Sequence, residues 1–392
     1  MVLAVLTRTL LKADLGSMFY ALSISTLVAV LLNFGTDTYL IRKVATDPQN
    51  SLVHLSKILS IRFFTILVGY ALLNLAVWQW MPDLLMVMLL ASAHDFLEEI
   101  GHAFLSFFSG KRQVVYRLAM VGGGKLIMMI GVIAIALIYQ TLIPVLLGYV
   151  CLSAIFVLAC FWVAIKRFGS ITLAWEPQAS FSILKLSFPF FLANALTMMH
   201  MRFDTILVGA MLNVREVANY ELGIKLVEVA RFLVRPLNIV FLPVFSEYFL
   251  HLQQQKLRHR FWQLTILMFA MGLILAIFMN LFGSFIISWL FGDGYAESVI
   301  PTQILFLSIP FLFTGLVAGI VANAIHQEKS AAFVLFVAVL VNTGLNLFAI
   351  PKLGINGAAW TTVISQTILT LGMFLLVVPK LISPQKDTLD SA

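Results

Sequence analysis

Five basic residues lie inside segments that are otherwise apolar enough to span a membrane: Lys125, Arg202, Lys225, Arg231 and Arg235. A cation at the centre of a membrane helix costs about 2.5–3.5 kcal/mol on the insertion scale, so such residues face a water-filled cavity or a polar partner. The arginine fork binds phosphate through two parallel hydrogen bonds. The pattern predicts a cavity for an anionic substrate, with these five residues as candidate ligands.

Three of these cations share a helical face with two glutamates. Glu221, Lys225, Glu228, Arg231 and Arg235 follow one another at spacings of three and four residues. On one helix they fall within about 120° of arc. Two interpretations stay open: a cavity wall that attracts a pyrophosphate or an acidic sugar, or an internally paired stripe that packs against another helix.

Acidic residues at membrane depth are candidates for coupling transport to a proton or a sodium ion. The candidates are Asp204, Glu98, Glu99, Asp95 and Glu228. Asp204 could instead pair with a cation on another helix, and the acidic group around Glu98 could form a polar wall paired with Lys125 or Arg117. Glu99 and His102 have the spacing used in di-iron bundles, but the sequence holds no second such motif, so no metal site is predicted.

The composition predicts a polytopic membrane protein with little mass outside the bilayer. Of 392 residues, 61% are hydrophobic and 11% are charged, whereas soluble domains carry roughly 25% charged residues. Apolar runs of about 20 residues indicate eleven spans. They are 15–35, 61–80, 84–108, 118–139, 141–165, 184–210, 217–245, 262–289, 299–324, 331–350 and 355–379.

The loops between these spans carry an asymmetric basic charge, which favours the cytoplasmic side. One side holds Arg42, Lys43, Lys57, Arg62, Lys111, Arg112, Arg117, Lys166, Arg167, Lys185, Lys256, Arg258, Arg260, Lys329, Lys380 and Lys386, and the other holds Arg8, Lys12, Arg215 and Lys352. The rule therefore predicts a cytoplasmic C-terminus. It also explains the net charge of +7 without nucleic acid as a partner.

The spans divide into two lobes. Five fall in 1–165 and six in 184–392, and the cytoplasmic linker 166–183 carries Gly169, Trp175, Glu176 and Pro177, which break the helical pattern. A faint repeat between Asp14–Tyr20 and Val217–Gly223 relates the two halves, as in many transporters. The connecting segments leave no room for a soluble catalytic domain, and no phosphate-binding loop of an ATPase is present.

Three blocks of the sequence resemble one family of transporters. They are residues 6–8, 16–21, 33–37 and 40–45 at the start; Phe188-Pro189-Phe190-Phe191, 202–209, 217–220, 225–226 and 242–246 in the middle; and Asn342, Asn346 and 351–359 near the end. In this order and spacing they are similar to the bacterial oligosaccharide-lipid (Wzx-type) flippases of the multidrug/oligosaccharidyl-lipid/polysaccharide (MOP) exporter superfamily, which is related to the MATE transporters.

The resemblance implies an all-α fold of two lobes around a central cavity. It implies a flippase in the bacterial inner membrane that moves an undecaprenyl-pyrophosphate-linked oligosaccharide by alternating access, for O-antigen (lipopolysaccharide), capsule or exopolysaccharide synthesis. The polysaccharide polymerase and chain-length proteins are expected partners, and no cofactor is expected beyond a coupling H⁺ or Na⁺. The family has twelve spans, and the first block matches its second, so the first helix of the family is expected to be missing.

Two other functions stay open. A MATE-like drug antiporter exports cations, which an arginine-rich cavity disfavours. A membrane-embedded polysaccharide polymerase or acyltransferase would be an enzyme, and a polymerase is expected to have a large outside loop with basic residues. No such loop falls between the predicted spans, so the sequence favours a transporter over an enzyme.

Overall fold

A computed structural model describes residues 1–171 and 177–382, and the regular elements in this part of the chain are helical. The predicted all-α class is confirmed. Trp175 and Glu176 of the linker, and Lys386 of the cytoplasmic charges, lie outside the described residues. The α-helices are α1 (Val2–Thr9), α2 (Lys12–Asn33), α3 (Thr36–Thr46), α4 (Ser51–Trp80), α5 (Leu85–Gly110), α6 (Val114–Tyr139), α7 (Leu142–Phe168), α8 (Pro177–Met211), α9 (Val214–Val234), α10 (Pro236–Leu250), α11 (Gln254–Phe291), α12 (Val299–Phe306), α13 (Ile309–Ala324), α14 (Glu328–Leu353) and α15 (Ile355–Ile382).

Most of these helices are long and apolar enough to cross a bilayer. In the described residues eight qualify by themselves, namely α2, α4, α6, α7, α8, α11, α14 and α15. Two bent pairs, α9 with α10 and α12 with α13, raise the number to ten, and each pair bends by 41°. The predicted span 84–108 is the 26-residue helix α5, which carries three carboxylates, so the count of eleven stays a prediction.

The chain forms two compact units, Met1–Arg202 and Phe203–Ala392. The boundary falls inside α8, because the first part of this helix packs with the first unit. The core of the first unit joins α3, α4, α5 and α7. It is built from Leu40, Val44, Leu55, Ile58, Phe104, Phe107, Phe108, Cys160 and Ala164, among others.

A sharp break separates α2 from α3. Phe34 and Gly35 both have left-handed backbones, with φ of 51° and 69°, a region in which glycine is the least strained residue. A Cβ on Gly35 would lie 2.8 Å from the carbonyl carbon of Phe190 on α8. The ring of Phe34 stacks on that of Phe191 with centroids 5.3 Å apart. The break between α2 and α3 therefore packs directly against the first half of α8.

In the second unit, α11 and α13 approach closely at one glycine. A Cβ on Gly272 would lie 2.7 Å from Cα of Pro310, so only glycine fits there without movement of the backbone. Proline also opens α10 at Pro236, directly after the α9 bend, where the missing N–H breaks the helical ladder.

Candidate functional site

Arg62 on α4 is the centre of a buried network in the first unit. Its side chain is fully buried, its Nε donates to Thr36 Oγ1 at 3.0 Å, and its Nη1 donates to the backbone carbonyl of Glu99 at 2.7 Å. Its Nη2 lies 2.8 Å from Asp37 Oδ1 and donates to Asn33 Oδ1 at 3.2 Å. One guanidinium thus ties α4 to the end of α2, the start of α3 and the middle of α5.

The carboxylates of this network also accept from neutral groups. Asn33 Nδ2 donates to Glu99 Oε2 at 2.5 Å and to Asp37 Oδ2 at 3.1 Å. The hydroxyl of Ser106 donates to Asp37 Oδ1 at 2.6 Å. Glu99 Oε2 lies 3.8 Å from Arg62 Nη1. A buried charge is tolerated when it is both paired and hydrogen-bonded, and this network provides both.

Arg62, which the charge pattern predicts as a cytoplasmic loop cation, is instead a buried residue of a membrane helix. Helix α4 begins at Ser51, well before the predicted start of the span at 61, so Arg62 lies about three turns inside the helix. The one available signal is its apolar setting, between Ile61 and Phe63.

The predicted acidic group on α5 divides among different partners. Glu99 belongs to the Arg62 network, and Asp95 accepts a hydrogen bond from Thr26 Oγ1 at 3.2 Å. Glu98 lies 3.2 Å from Nζ of Lys125, which is the polar pairing that the sequence allows as an alternative. Glu98 and Glu99 also share a neighbour, His102, whose ring nitrogens lie 3.9 Å from each carboxylate.

The Glu98–Lys125 pair lines a small cavity between α5, α6 and α7, with a volume of about 90 Å³. Pockets that bind small ligands usually have about 300–1,000 Å³, so this space is too small for a sugar. Ser153 donates to Glu98 Oε1 at 3.3 Å and also contacts Nδ1 of His94 at 2.8 Å. The predicted cation Lys125 is thus an ion-pair partner here.

One group of potential metal ligands occurs in the described residues. Asp37, Glu99 and His102 each place a ligand atom within 4.8 Å of the others. However, Arg62 contacts both carboxylates, and its fixed positive charge would repel a divalent cation. We therefore assign this group to the Arg62 network.

Asp204 on α8 is buried in the second unit, at 4% exposure, with partners from three other helices. Asn346 Nδ2 of α14 donates to its Oδ1 at 2.7 Å. Thr362 Oγ1 of α15 and Tyr220 OH of α9 donate to its Oδ2 at 2.6 and 3.3 Å. All three partners are neutral, and within residues 1–171 and 177–382 no cation pairs with Asp204, which contradicts the predicted alternative of such a pair.

The surroundings of Asp204 are rich in oxygen. The Thr362 hydroxyl lies 2.9 Å from the Ala358 carbonyl as well as 2.6 Å from Asp204, and its single proton can satisfy only one acceptor at a time. Asn342 Oδ1 adds a further acceptor beside Asn346, at 3.2 Å. Carboxylate, carbonyl and hydroxyl oxygens are the ligands that hard cations prefer. The arrangement can bind a proton or a small cation.

The charged stripe on α9 is partly paired within itself. Lys225 Nζ lies 3.3 Å from Glu221 Oε1 and 2.9 Å from Glu228 Oε2. Glu221 is 1% exposed and also accepts from Thr205 at 2.8 Å. The internally paired interpretation therefore describes this part of the stripe, and the charge of Lys225 is offset by two carboxylates.

The three arginines of the prediction lie on α8, on α9 and at the break between α9 and α10. Arg231 is half-buried one to two turns further along α9, and Arg202 is half-buried on α8. Arg235 is exposed and sits at the break between α9 and α10. Arg235 has a helical backbone at the end of α9, and α10 continues from it at an angle of 41°.

The sequence also matches a known family over most of its length. A profile of the family described as polysaccharide biosynthesis protein matches residues 5–300. The chain belongs to this family. A sequence comparison with curated proteins finds no significant match.

The structure of this family member is similar to solved transporter structures. An inward-facing multidrug resistance MATE family transporter of the MOP superfamily superposes with a TM-score of 0.78 at 13% identity, over 97% of this chain and 93% of the other. The lipid II flippase MurJ, in an inward closed conformation, gives 0.73 at 14% identity, over 96% and 84%. A MOP superfamily transporter from Pyrococcus furiosus, described as having a binding pocket of reverse polarity, gives 0.62 at 14% identity, over 96% and 89%. The chain therefore shares the fold of these transporters.

The Arg62 network yields a first prediction. Arg62→Ala leaves Asp37 and Glu99 buried without their cation, so we expect a loss of about 3–5 kcal/mol in the free energy of unfolding, as for other broken buried pairs. The measurement is thermal or denaturant unfolding of the purified protein in detergent.

Lys125→Ala is the comparison variant, because the lysine of the Glu98–Lys125 pair is 63% exposed and its partner, the 13% exposed Glu98, keeps the hydrogen bond from Ser153. Exposed pairs contribute about 0–1 kcal/mol. Equal losses for the two variants would contradict the structural role of Arg62. Arg62→Lys keeps the charge but has fewer donors, so its stability should lie between that of Arg62→Ala and that of the unchanged protein.

Proposed function

We propose that this protein is a flippase that moves a polyprenyl-pyrophosphate-linked oligosaccharide across the bacterial cytoplasmic membrane. The observation that carries the proposal is the family match over residues 5–300, joined to a fold shared with a lipid II flippase. The protein works by alternating access. The lipid tail stays in the bilayer, so only the charged and sugar groups must be sheltered from hydrocarbon.

The head group meets the arginines first. Arg202, Arg231 and Arg235 are the proposed arginine ligands, because a guanidinium fork can bind a pyrophosphate or an acidic sugar through two hydrogen bonds. Lys225 and Lys125 are each paired with glutamate. Either lysine can bind the same substrate only if the substrate replaces its glutamate partner.

Asp204 is the coupling residue of this proposal. Its neutral partners leave its charge uncompensated, so a proton or a sodium ion can bind and leave as the transporter cycles. Asp95, Glu98, Glu99 and Glu228 were equal candidates from the sequence. Glu98, Glu99 and Glu228 each contact a lysine or arginine in the structure, which disfavours them as coupling residues. Asp95 accepts from the neutral hydroxyl of Thr26 and is the second candidate after Asp204, which has partners from three other helices.

The C-terminus is cytoplasmic in this proposal, because most loop cations fall on that side. The polysaccharide polymerase and chain-length proteins act on the product outside and are proposed partners. A MATE-like drug antiporter is the second candidate, since a MATE transporter shares the fold. The family match and the arginines of α8 and α9 favour an anionic lipid-linked saccharide over a cationic drug.

Removal of Arg231 tests the substrate site. In a strain that lacks its own repeat-unit flippase and carries the matching polysaccharide pathway, Arg231→Ala with Arg235→Ala should reduce surface polysaccharide at least tenfold, because two phosphate ligands are lost. The measurement is cell-surface polysaccharide, normalised to the amount of protein in the membrane.

Arg215→Ala is the matched control, since Arg215 is an exposed arginine in the first turn of the same helix and lies about 160° around it from Arg231. Normal polysaccharide is expected for this variant. Normal polysaccharide in the double variant would refute the assignment of Arg231 and Arg235, and failure of the unchanged chain in its own pathway would refute the flippase itself.

The coupling role of Asp204 has a separate test. Sodium that binds only the folded protein raises its stability, by about 2.7 kcal/mol at one hundred times the dissociation constant. If sodium is the ion, the unchanged protein should unfold at a higher temperature in sodium chloride than in choline chloride. If a proton is the ion, its unfolding temperature should change with pH. Asp204→Asn should lose that response.

Glu328→Gln is the control for this test, because Glu328 is 59% exposed at the start of α14, far from Asn346 on the same helix. It should keep the full response. The coupling assignment would be overturned if Asp204→Asn kept the full shift in unfolding temperature, or if Asp204→Asn and Glu328→Gln lost that shift to the same extent.

A further inference from the structure

A basic cavity lies where α10 meets α11 in the second unit, outside the groups discussed above. Its volume is about 370 Å³, and its walls are Tyr248, Lys256, His259, Arg260 and Gln263. This size falls in the range of about 300–1,000 Å³ that is usual for small-ligand pockets. Three of the five lining residues, Lys256, His259 and Arg260, carry or can carry a positive charge, so the cavity favours an anionic ligand.

The amide of Gln263 holds two of these groups in place. Arg260 Nη1 donates to Gln263 Oε1 at 3.4 Å, and Gln263 Nε2 lies 2.8 Å from His259 Nε2. Lys256, His259 and Arg260 fall within about 100° of arc on α11. The nearby Arg258 points about 160° away from Lys256 and does not line the cavity.

The same face of α11 continues as an exposed apolar surface. Ile266 and Leu267 are 66% and 59% exposed, followed by Ile274 at 65%, Ile277 at 50% and Leu281 at 70%. With Lys256 and Arg260 these residues fall within about 120° of arc. From Gln263 to Ile274 the helix rises about 16 Å, close to the roughly 15 Å of hydrocarbon in one leaflet.

The length of α11 sets the depth of this cavity. The helix has 38 residues, whereas about 20 cross the hydrocarbon core. The first two or three turns therefore extend to the lipid headgroups, and these are the turns that carry Lys256, His259 and Arg260. Basic pockets at the cytoplasmic ends of membrane helices bind anionic lipid headgroups, and this end carries the basic excess that marks the cytoplasmic side.

We propose that this cavity binds the phosphodiester of an anionic bilayer phospholipid, with its acyl chains along Ile266, Leu267 and Ile274. The ligand is a resident lipid of the cytoplasmic leaflet rather than the transported carrier. Lys256 and Arg260 contact the phosphate, and Tyr248 and Gln263 offer hydrogen bonds to the headgroup. The site is independent of the arginines proposed for the substrate.

The test uses native mass spectrometry of the full-length protein in detergent. Phosphatidylglycerol and phosphatidylcholine with identical acyl chains are the probes, so a difference in binding reports the headgroup. The unchanged protein should bind phosphatidylglycerol roughly 25-fold more tightly, because Lys256 and Arg260 each contribute about fivefold near an anionic headgroup. Lys256→Gln with Arg260→Gln should lose this preference.

A charge-matched control is Arg258→Gln with Lys329→Gln, which removes two exposed cations that do not line the cavity. It should keep the preference for phosphatidylglycerol. Equal binding of the two lipids by the unchanged protein, or an equal loss in both double variants, would overturn the proposal. A competition experiment with undecaprenyl phosphate is the third test. If undecaprenyl phosphate displaces bound phosphatidylglycerol at a lower concentration than unbound phosphatidylglycerol does, the cavity belongs to the carrier lipid and the proposal is overturned.

Discussion

The structure depends on how charge is satisfied inside helices that are surrounded by hydrocarbon. An unpaired ion in this environment is costly, and water cannot replace a missing partner. Arg62 meets this constraint in the first unit by contacting Asn33, Thr36, Asp37 and Glu99. These contacts also hold the break after α2, because Asn33 and Thr36 flank Phe34 and Gly35. The same break lies against α8, so one buried cation supports the geometry of five helices.

The second unit satisfies its buried charge differently. Asp204 accepts hydrogen bonds from Tyr220, Asn346 and Thr362, all of them neutral. A carboxylate fixed by arginine is held in one ionisation state and suits a structural role. A carboxylate held only by neutral donors can exchange its counterion, which suits a transporter that must bind and release an ion in each cycle. This contrast is the reason that we assign the Arg62 network to the fold and propose Asp204 for coupling.

Hydropathy predicts much of the architecture from the sequence. The composition alone gives the all-α membrane class, and every predicted span corresponds to a helix or a bent pair of helices. The bend after Val234 is less predictable, because Pro236 marks a possible kink but not its angle. Likewise, the spacing of Glu221, Lys225 and Glu228 predicts their common face, but whether that face pairs internally depends on side-chain positions.

Partners that are distant in the chain account for what the sequence does not predict. Asn346 lies 142 residues from Asp204, and no spacing rule links the two positions. Arg62 is mistaken for a loop cation because it falls at the edge of an apolar run, where snorkelling is the common explanation of a basic residue. Its burial becomes evident only when α2, α3 and α5 are placed around it.

Transport by the purified protein is the most direct test of the central claim. The protein would be reconstituted in liposomes that carry a radiolabelled lipid-linked oligosaccharide in one leaflet only. An added enzyme that cleaves only pyrophosphate on the outer leaflet would then measure how much oligosaccharide has crossed, as the fraction protected from cleavage. The account predicts that the protected fraction changes only in vesicles that contain the protein, and that Arg231→Ala with Arg235→Ala abolishes the change. No movement above that of protein-free vesicles, for the oligosaccharide of its own pathway and under either ion gradient, would contradict the account.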